Sequence, residues 1–367
     1  MKYEVVVYVD SNGTHLHQIY SGLFLLHTYG EIDLKLRTGR STTKTRGNRQ
    51  FLALDVRSFL DNKYKRCIFD MQDSPKISLL ESFNEIDFYF KRSFQKDFIA
   101  ELPLKYRERV LPFGLNYQAL LCNGNRVLER VLLEFISRPF NPFYKKNRFH
   151  AENIFDLLKY EYFKKRNNYV PFPNIEAEPD RAAEPSILFQ CRLWPEKYIA
   201  SENKQDFKNV NKERVDLISA LKKEFGNKFI GGLQPTKEAV ELYPDLITSL
   251  PSRRKSYIEV MKKSLVVINS PGLLNSMGWK FAEYIAAGKC IVSSKISAEL
   301  PGDFSSGHHY LEYESIHECI DACSRLLNQP EFASIMSKKN IEYYDRYLRP
   351  DSIIGNCLVR TQSSSPA

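Results

Sequence analysis

A chain of 367 residues is too long for one ordinary hydrophobic core, and its 43% hydrophobic and 26% charged residues are the balance of a folded chain, not a disordered one. Its apolar runs are shorter than a bilayer-spanning helix needs, and its 7 cysteines include no CxxC pair, which argues for a reducing compartment and against a zinc site. The formal net charge of +9 calls for an anionic partner or a broad solvated basic face.

The opening MKYEVVVYVD reads as a buried strand and not as a signal peptide, because its apolar stretch is short and lacks a small-residue cleavage site. The expected location is cytoplasmic. LHQIYSGLFLLHTYG predicts a helix stopped at Gly30, and IDLKLRTG a strand alternating with period two. KRCIFDMQD, EIDFYFKRSF and VLPFGLNY (110–117) read as further strands. Strands separated by helices imply a parallel, doubly wound sheet with its site at the strand C-termini. Residues 118–170 read as helical and aromatic-rich, and the proline-bearing, aperiodic PFPNIEAEPDRAAEPS (171–186) as a linker.

The pattern then restarts. ILFQCRLW predicts a strand, KERVDLISALKKEFG a helix stopped by Gly226, and KFIGGL a strand. YIEVMKKS and LVVINS repeat the alternation, KCIVSS adds a strand, and IHECIDACSRLLN and PEFASIMSKKNIEYYDRYL finish as helices. The expected fold class is α/β, with two Rossmann-like domains facing a cleft. The expected divisions are 1–170, a linker at 171–186, a second domain at 187–335, and a C-terminal helix at 336–360 packing back on the first domain.

Basic residues gather in LRTGRSTTKTRGNR (36–49), FYKKNRFH (143–150), FKKRNNY (163–169) and PSRRKSY (251–257). The middle two set aromatics among Lys145, Lys146, Arg148, Lys164, Lys165 and Arg166, the composition of a surface that rests on lipid headgroups. Together with Arg37 and Arg40 of the first cluster, these are the candidates for meeting an anionic acceptor or the inner face of the plasma membrane. No nucleic-acid partner is expected, since no helix-turn-helix, zinc-finger or RNA-recognition signature accompanies the charge.

SMGWKFAEYIAAGKCIV (276–292) reads as glycine loop, helix, Ala-Ala-Gly stop and strand. A helix starting after Gly278 aims its free N–H groups at the loop SPGLLNSMG, which makes a seat for phosphate. Glu283, one turn in, would then accept hydrogen bonds from ribose hydroxyls. The competing reading puts Glu283 on the wet face of an amphipathic helix, with Ala287-Gly288 as an ordinary C-cap.

ILFQCRLWPEK resembles the strand and loop that open the donor half of two-domain nucleotide-sugar glycosyltransferases of the GT-B fold. The family form is a strand followed by G-R-L-x-x-E-K; here Cys191 stands where the glycine usually does, with Arg192-Leu193 and Glu196-Lys197 in register. NSMGWKFAE (275–283) has the E-x7-E spacing of the retaining members, with Glu283 at the second carboxylate and Asn275 replacing the first. WKFAEYIAAGKCIVSSKISAELP also resembles the donor half of exostosin-like inverting enzymes, so the stereochemical outcome stays open. VLPFGLNY resembles the element that ends the acceptor half, and YYDRYLRP the helix that crosses back.

The resemblance implies a nucleotide-sugar donor and a glycan or lipid-linked glycan acceptor, as in lipopolysaccharide or capsule synthesis. It implies that Arg192 and Lys197 neutralise the diphosphate and that Glu283 binds the ribose. Gly272, Asn275, Ser276, Gly278 and Lys280 would shape the sugar and phosphate loop. Negative charge grows on a departing nucleoside diphosphate, and fixed cations stabilise it without a metal. The chain has no DxD triplet, and neither a cofactor nor a metal is expected. For the acceptor's base, YVDSNGTHLHQ offers Asp10 and His15, since a histidine titrates near the right pH to deprotonate a hydroxyl. As alternatives, Asp10 is a turn residue and His15 a polar residue on a first helical turn. DMQD (70–73) is a reserve acid pair, and GHHYL (307–311) reads as loop polarity. A rival from another class is a non-catalytic Rossmann pair that binds an anionic polymer or lipid surface.

Overall fold

The computed structural model of the chain describes residues 2–9, 13–38, 50–60, 63–122, 170–178, 183–195, 204–272 and 276–362. They form two compact units. The first comprises residues 1–174, 298–302 and 345–367, and the second 175–297 and 303–344.

The first unit is built on a six-stranded sheet. β1 (Tyr3–Val9) is followed by α1 (His17–Thr28) and β2 (Ile32–Thr38), then β3 (Phe51–Ser58), β4 (Lys65–Asp70) and β5 (Phe88–Lys91). Two short helices, α2 (Lys96–Ala100) and α3 (Leu104–Arg107), lead to β6 (Val110–Pro112). β1 is a near-continuous β-branched run because both its faces are covered: Val5, Val6, Val7 and Val9 are all buried. α1 stops where Gly30 takes a left-handed conformation, φ 74°.

The strand order is β2-β1-β3-β4-β5-β6. Here the expectation of a purely parallel sheet is corrected. β3 runs antiparallel to both β1 and β4, while the other neighbouring pairs are parallel. Sequence reading assigned no strand to FLALDVRS, because no crossover helix follows it. It turns at Phe59-Leu60 and pairs with β4 as a hairpin, a connection that a parallel neighbour cannot use.

The second unit begins with β7 (Glu184–Cys191), α4 (Lys204–Phe225), β8 (Phe229–Leu233), α5 (Lys237–Leu242), α6 (Arg254–Lys263) and β9 (Ser264–Asn269). It continues with α7 (Trp279–Ala286), β10 (Cys290–Ser294), β11 (Tyr310–Tyr313), α8 (Ile316–Asn328) and α9 (Pro330–Tyr343). β7 starts inside the stretch read as linker, and the segment before it is held down, since the Ala177 N–H donates to the Ala286 carbonyl at 2.8 Å. The five strands are parallel throughout, in the order β11-β10-β9-β7-β8. The chain leaves β7 toward β8 on one side and β9 toward β10 on the other. The ends of β7 and β9 are therefore the topological switch point of this sheet, where ligands of such folds bind.

After α9 the chain returns to the first unit through a π-helical turn at Tyr344–Leu348 and α10 (Pro350–Arg360). Pro350 opens α10, where its missing N–H costs nothing. Ile353, Ile354, Cys357 and Leu358 join the core built by β1, α1 and β2. α10 lies so close to α1 that a Cβ on Gly22 would stand 2.1 Å from the Pro350 carbonyl oxygen. The single returning helix read at 336–360 is thus two: α9 stays with the second unit and α10 belongs to the first.

No described helix is long and apolar enough to cross a membrane.

Candidate functional site

The switch point of the second sheet collects most of the described donor-side candidates. β7 ends at Cys191, and the next turn is pinned to α4. The Trp194 N–H donates to Asn211 Oδ1 at 2.9 Å, and Asn211 Nδ2 donates to the Trp194 carbonyl at 3.0 Å. Arg192 is exposed, with its guanidinium stacked 4.4 Å over the Trp194 ring. From β9 the chain enters the loop that leads to α7. The Gly272 N–H donates to the Ser276 carbonyl at 3.0 Å. A Cβ on Gly272 would meet that carbonyl at 2.6 Å and Ser276 Oγ at 2.8 Å, so the turn admits glycine alone.

Gly278 is the N-cap of α7, and no side chain caps the first turn of this helix. A Cβ on Gly278 would have nothing within 4 Å, and the Phe281 N–H turns back to the Gly278 carbonyl at 3.2 Å. Lys280, in that first turn, donates from Nζ to the Gln190 carbonyl at 2.6 Å and lies 4.2 Å over the Tyr257 ring. Burial pushes its ammonium down to about 8, against the opposing pull of Cys191 and Glu283. The Cys191 thiol is pushed up to about 11 by burial, and the Arg214 and Lys280 charges act the other way.

Glu283 is 4% exposed. That rules out the wet-face alternative. The other half of that reading is observed, since Gly288 takes φ 60° and ends α7. Arg254, on α6, meets Glu283 Oε1 at 2.7 Å. Burial raises the carboxyl above its ordinary range, while Arg254 and Lys280 lower it.

Sequence reading missed two cations here. Arg254 was visible only as part of a basic cluster, and its pairing across to α7 had no local signal. Arg214 is 8% exposed on α4, and it donates from Nη1 to the Arg192 carbonyl at 2.7 Å and from Nη2 to the Pro271 carbonyl at 3.3 Å. Its Nε donates to Ser270 Oγ at 3.4 Å. The one available clue was the Asn211/Arg214 spacing of three, which sets both on one helix face.

In the first unit, His15 lies in the turn after β1, and Asn116, beyond β6, donates to its carbonyl at 2.9 Å. Its imidazole is held below the ordinary range, first by burial and then by the Arg92 charge, with Asp73 opposing. Arg92, itself buried after β5, ion-pairs with Asp73 at 2.5 Å. His15, Asp73, Arg92 and Asn116 all follow C-terminal ends of this sheet's strands. The reserve acids separate in role. Asp73 belongs to this edge, whereas Asp70 is buried and accepts from Lys91 Nζ at 2.7 Å, Tyr89 Oη at 2.6 Å and the Gln72 N–H at 2.9 Å. The reading of GHHYL as loop polarity is corrected at His309. That residue is 5% exposed, stacks on Phe304 at 4.7 Å, and accepts from the Ser305 N–H at 3.2 Å.

Arg37 is exposed on β2, in register with Tyr8 and outside both clusters. Asp10, Arg40, Lys197 and Asn275 lie outside the described residues, as do the basic-aromatic segments 143–150 and 163–169. Among the described residues, no three His, Cys, Asp or Glu side chains gather as a metal site.

Neither a protein-family model nor a curated protein matches the chain. Solved structures do. Anabaena HepE in complex with UDP is similar over 93% of this chain and 89% of its own, at 11% identity and a TM-score of 0.45. TarM is similar over 98% of both chains, at 11% identity and a TM-score of 0.40. The UDP-GlcNAc 2-epimerase of Neisseria meningitidis, bound to UDP-GlcNAc, is similar over 76% of this chain at 12% identity and a TM-score of 0.36. The chain spans 63% of that epimerase's length.

Proposed function

We propose that this chain is a GT-B-type glycosyltransferase that moves a sugar from a nucleotide-sugar donor to a glycan or lipid-linked glycan acceptor without a metal. The observation that carries the reading is the switch-point seat of the second unit. There a helix start without a side-chain cap, Lys280, Arg192 and a buried Glu283 sit on the elements that leave β7 and β9, next to a glycine turn. Helix N–H groups and fixed cations suit a diphosphate, and their hold strengthens as the leaving group gains charge. Glu283, paired with Arg254 through Oε1, would offer its carboxylate to ribose hydroxyls. Lys197 and Asn275 join the seat by sequence resemblance. In the first unit, His15 stays neutral at physiological pH because its pKa is depressed, which is the state required of a base.

Extension of a lipopolysaccharide- or capsule-type glycan, and docking of the basic-aromatic segments on an anionic bilayer, are the finer parts of the proposal. The net charge of +9 supports them. The test is a donor-hydrolysis and thermal-shift screen across nucleotide sugars and nucleoside diphosphates. A transferase site gives a concentration-dependent stabilisation by at least one nucleoside diphosphate, with release of that diphosphate from its sugar conjugate. Absence of both across the panel would leave the rival reading, a non-catalytic module for anionic polymers or lipids.

A further inference from the structure

The loops that follow β7 and β9 leave adjacent parallel strands and run away from each other, so the strand ladder does not tie one to the other. One described side chain reaches both. Arg214 projects from α4 and donates to the Arg192 carbonyl in the first loop, and to Ser270 Oγ and the Pro271 carbonyl in the second. We propose that Arg214 is the positioning residue of the diphosphate seat, an inference that rests on the donor reading above. It fixes the spacing of the two loops and so holds Arg192 and the Gly272 turn as one preformed anion cradle.

Guanidinium geometry supports this. Its planar fork spreads donors over several acceptors at once, which a lysine's compact ammonium cannot do. The three acceptors are all neutral, and among the described residues no carboxylate lies within ion-pair distance of Arg214. Its charge therefore stays in place beneath the loops and adds positive potential where an anion would sit. Asn211, one turn earlier on the same helix, grips Trp194 through both of its backbone groups. Trp194 in turn carries the Arg192 guanidinium on its ring. Arg192 is thus oriented from two points on a single rigid helix.

Positioning of this kind predicts a selective defect. Arg214→Gln should weaken nucleoside diphosphate on the order of 10- to 100-fold, the scale of loss when binding groups shift by about an ångström. The corresponding nucleoside should bind as to the parent, because no contact of Arg214 reaches Glu283. Arg214→Lys, which restores charge without the fork, should recover only part of the loss. The experiment is calorimetric titration of the full chain with a nucleoside, its monophosphate and its diphosphate, for parent and both variants, with melting curves alongside. Parent-like diphosphate affinity in Arg214→Gln would overturn the inference. So would equal losses for nucleoside and diphosphate, which mark a general loosening of the unit. If Arg214→Gln does not fold, Arg214→Lys decides: a diphosphate-selective loss supports the inference, and parent-like affinity overturns it. A parent that binds no nucleoside diphosphate would refute the donor reading itself, and this inference with it.

Discussion

The proposed ribose role would put a second demand on the Glu283 carboxylate, because Arg254 already occupies Oε1 and the side chain is buried. Removing one partner of such a pair leaves the other buried and uncompensated, so Glu283→Ala is expected to cost roughly 3 to 5 kcal/mol of stability as well as donor affinity. Glu283→Gln separates the effects. Hydrogen bonds to a charged group are worth about 1.5 to 3 kcal/mol, so nucleoside affinity should fall about 10- to 100-fold by titration. A variant that binds nucleoside as the parent does would remove Glu283 from the ribose role. Lys280 supplies a pH signature. Its native pKa of about 8 means the ammonium loses its proton as pH rises through that value. Nucleoside diphosphate affinity should therefore be highest below about pH 7 and decline between about pH 7 and 9. Lys280→Arg, which keeps its charge, should flatten that decline. An unchanged profile in the arginine variant would show that another group titrates. Glu283 and Lys280 could be proposed from the sequence because loop, helix start and carboxylate lie within a dozen residues. Arg214 and Arg254 were not, since their roles depend on which distant loops their helices touch.

At the scale of elements, β7 to β10 of the second unit follow from alternation, because each parallel pair needs a crossover and crossovers leave helical patterns, whereas β11 (Tyr310–Tyr313), four residues next to a stretch read as loop, was missed. β3 escaped for the opposite reason: a hairpin leaves almost no trace between two strands. Its neighbour β4 ends in Asp70, which faces Lys91 of β5, both with fully buried side chains. Burial pushes the Asp70 carboxyl up and the Lys91 ammonium down; their mutual contact, the Tyr89 and Gln72 donors to Asp70 and the Asp73 charge near Lys91 offset it. Lys91→Met should therefore destabilise by about 3 to 5 kcal/mol, while Asp70→Asn/Lys91→Met should lose clearly less than the sum of the single changes. Urea unfolding of the four proteins makes that comparison, and strict additivity would mean the pair is not coupled. The α1–α10 contact makes a simpler demand. Gly22→Ala forces a methyl against a backbone carbonyl that cannot rotate away, and should cost about 3 kcal/mol or more. Gly30→Ala, whose added Cβ meets nothing within 4 Å, strains the backbone without a clash and is the control in the same denaturation series.

For the molecule as a whole, the restart of the α/β pattern after residue 186 was the clearest signal of two units, and it needed no motif. The point of return was not legible. α9 and α10 both read as amphipathic and helical, and the break between them depends on the turn at Tyr344–Leu348 and on Pro350. That return has a consequence for how the chain is made. The first unit takes its last core residues, Ile353, Ile354, Cys357 and Leu358, from a segment synthesised after the whole second unit. Until the ribosome has delivered them, the apolar groove along α1 stays open to solvent, to chaperones and to other nascent chains, while the second unit can already fold. A chain stopped at Tyr344 should accordingly retain a protease-resistant second unit and a sticky, incompletely closed first one. Limited proteolysis with dye binding would show both properties in one sample. Quality control during synthesis would then act on the first unit, and the interval between emergence of β1 and arrival of α10 would set how long that exposure lasts.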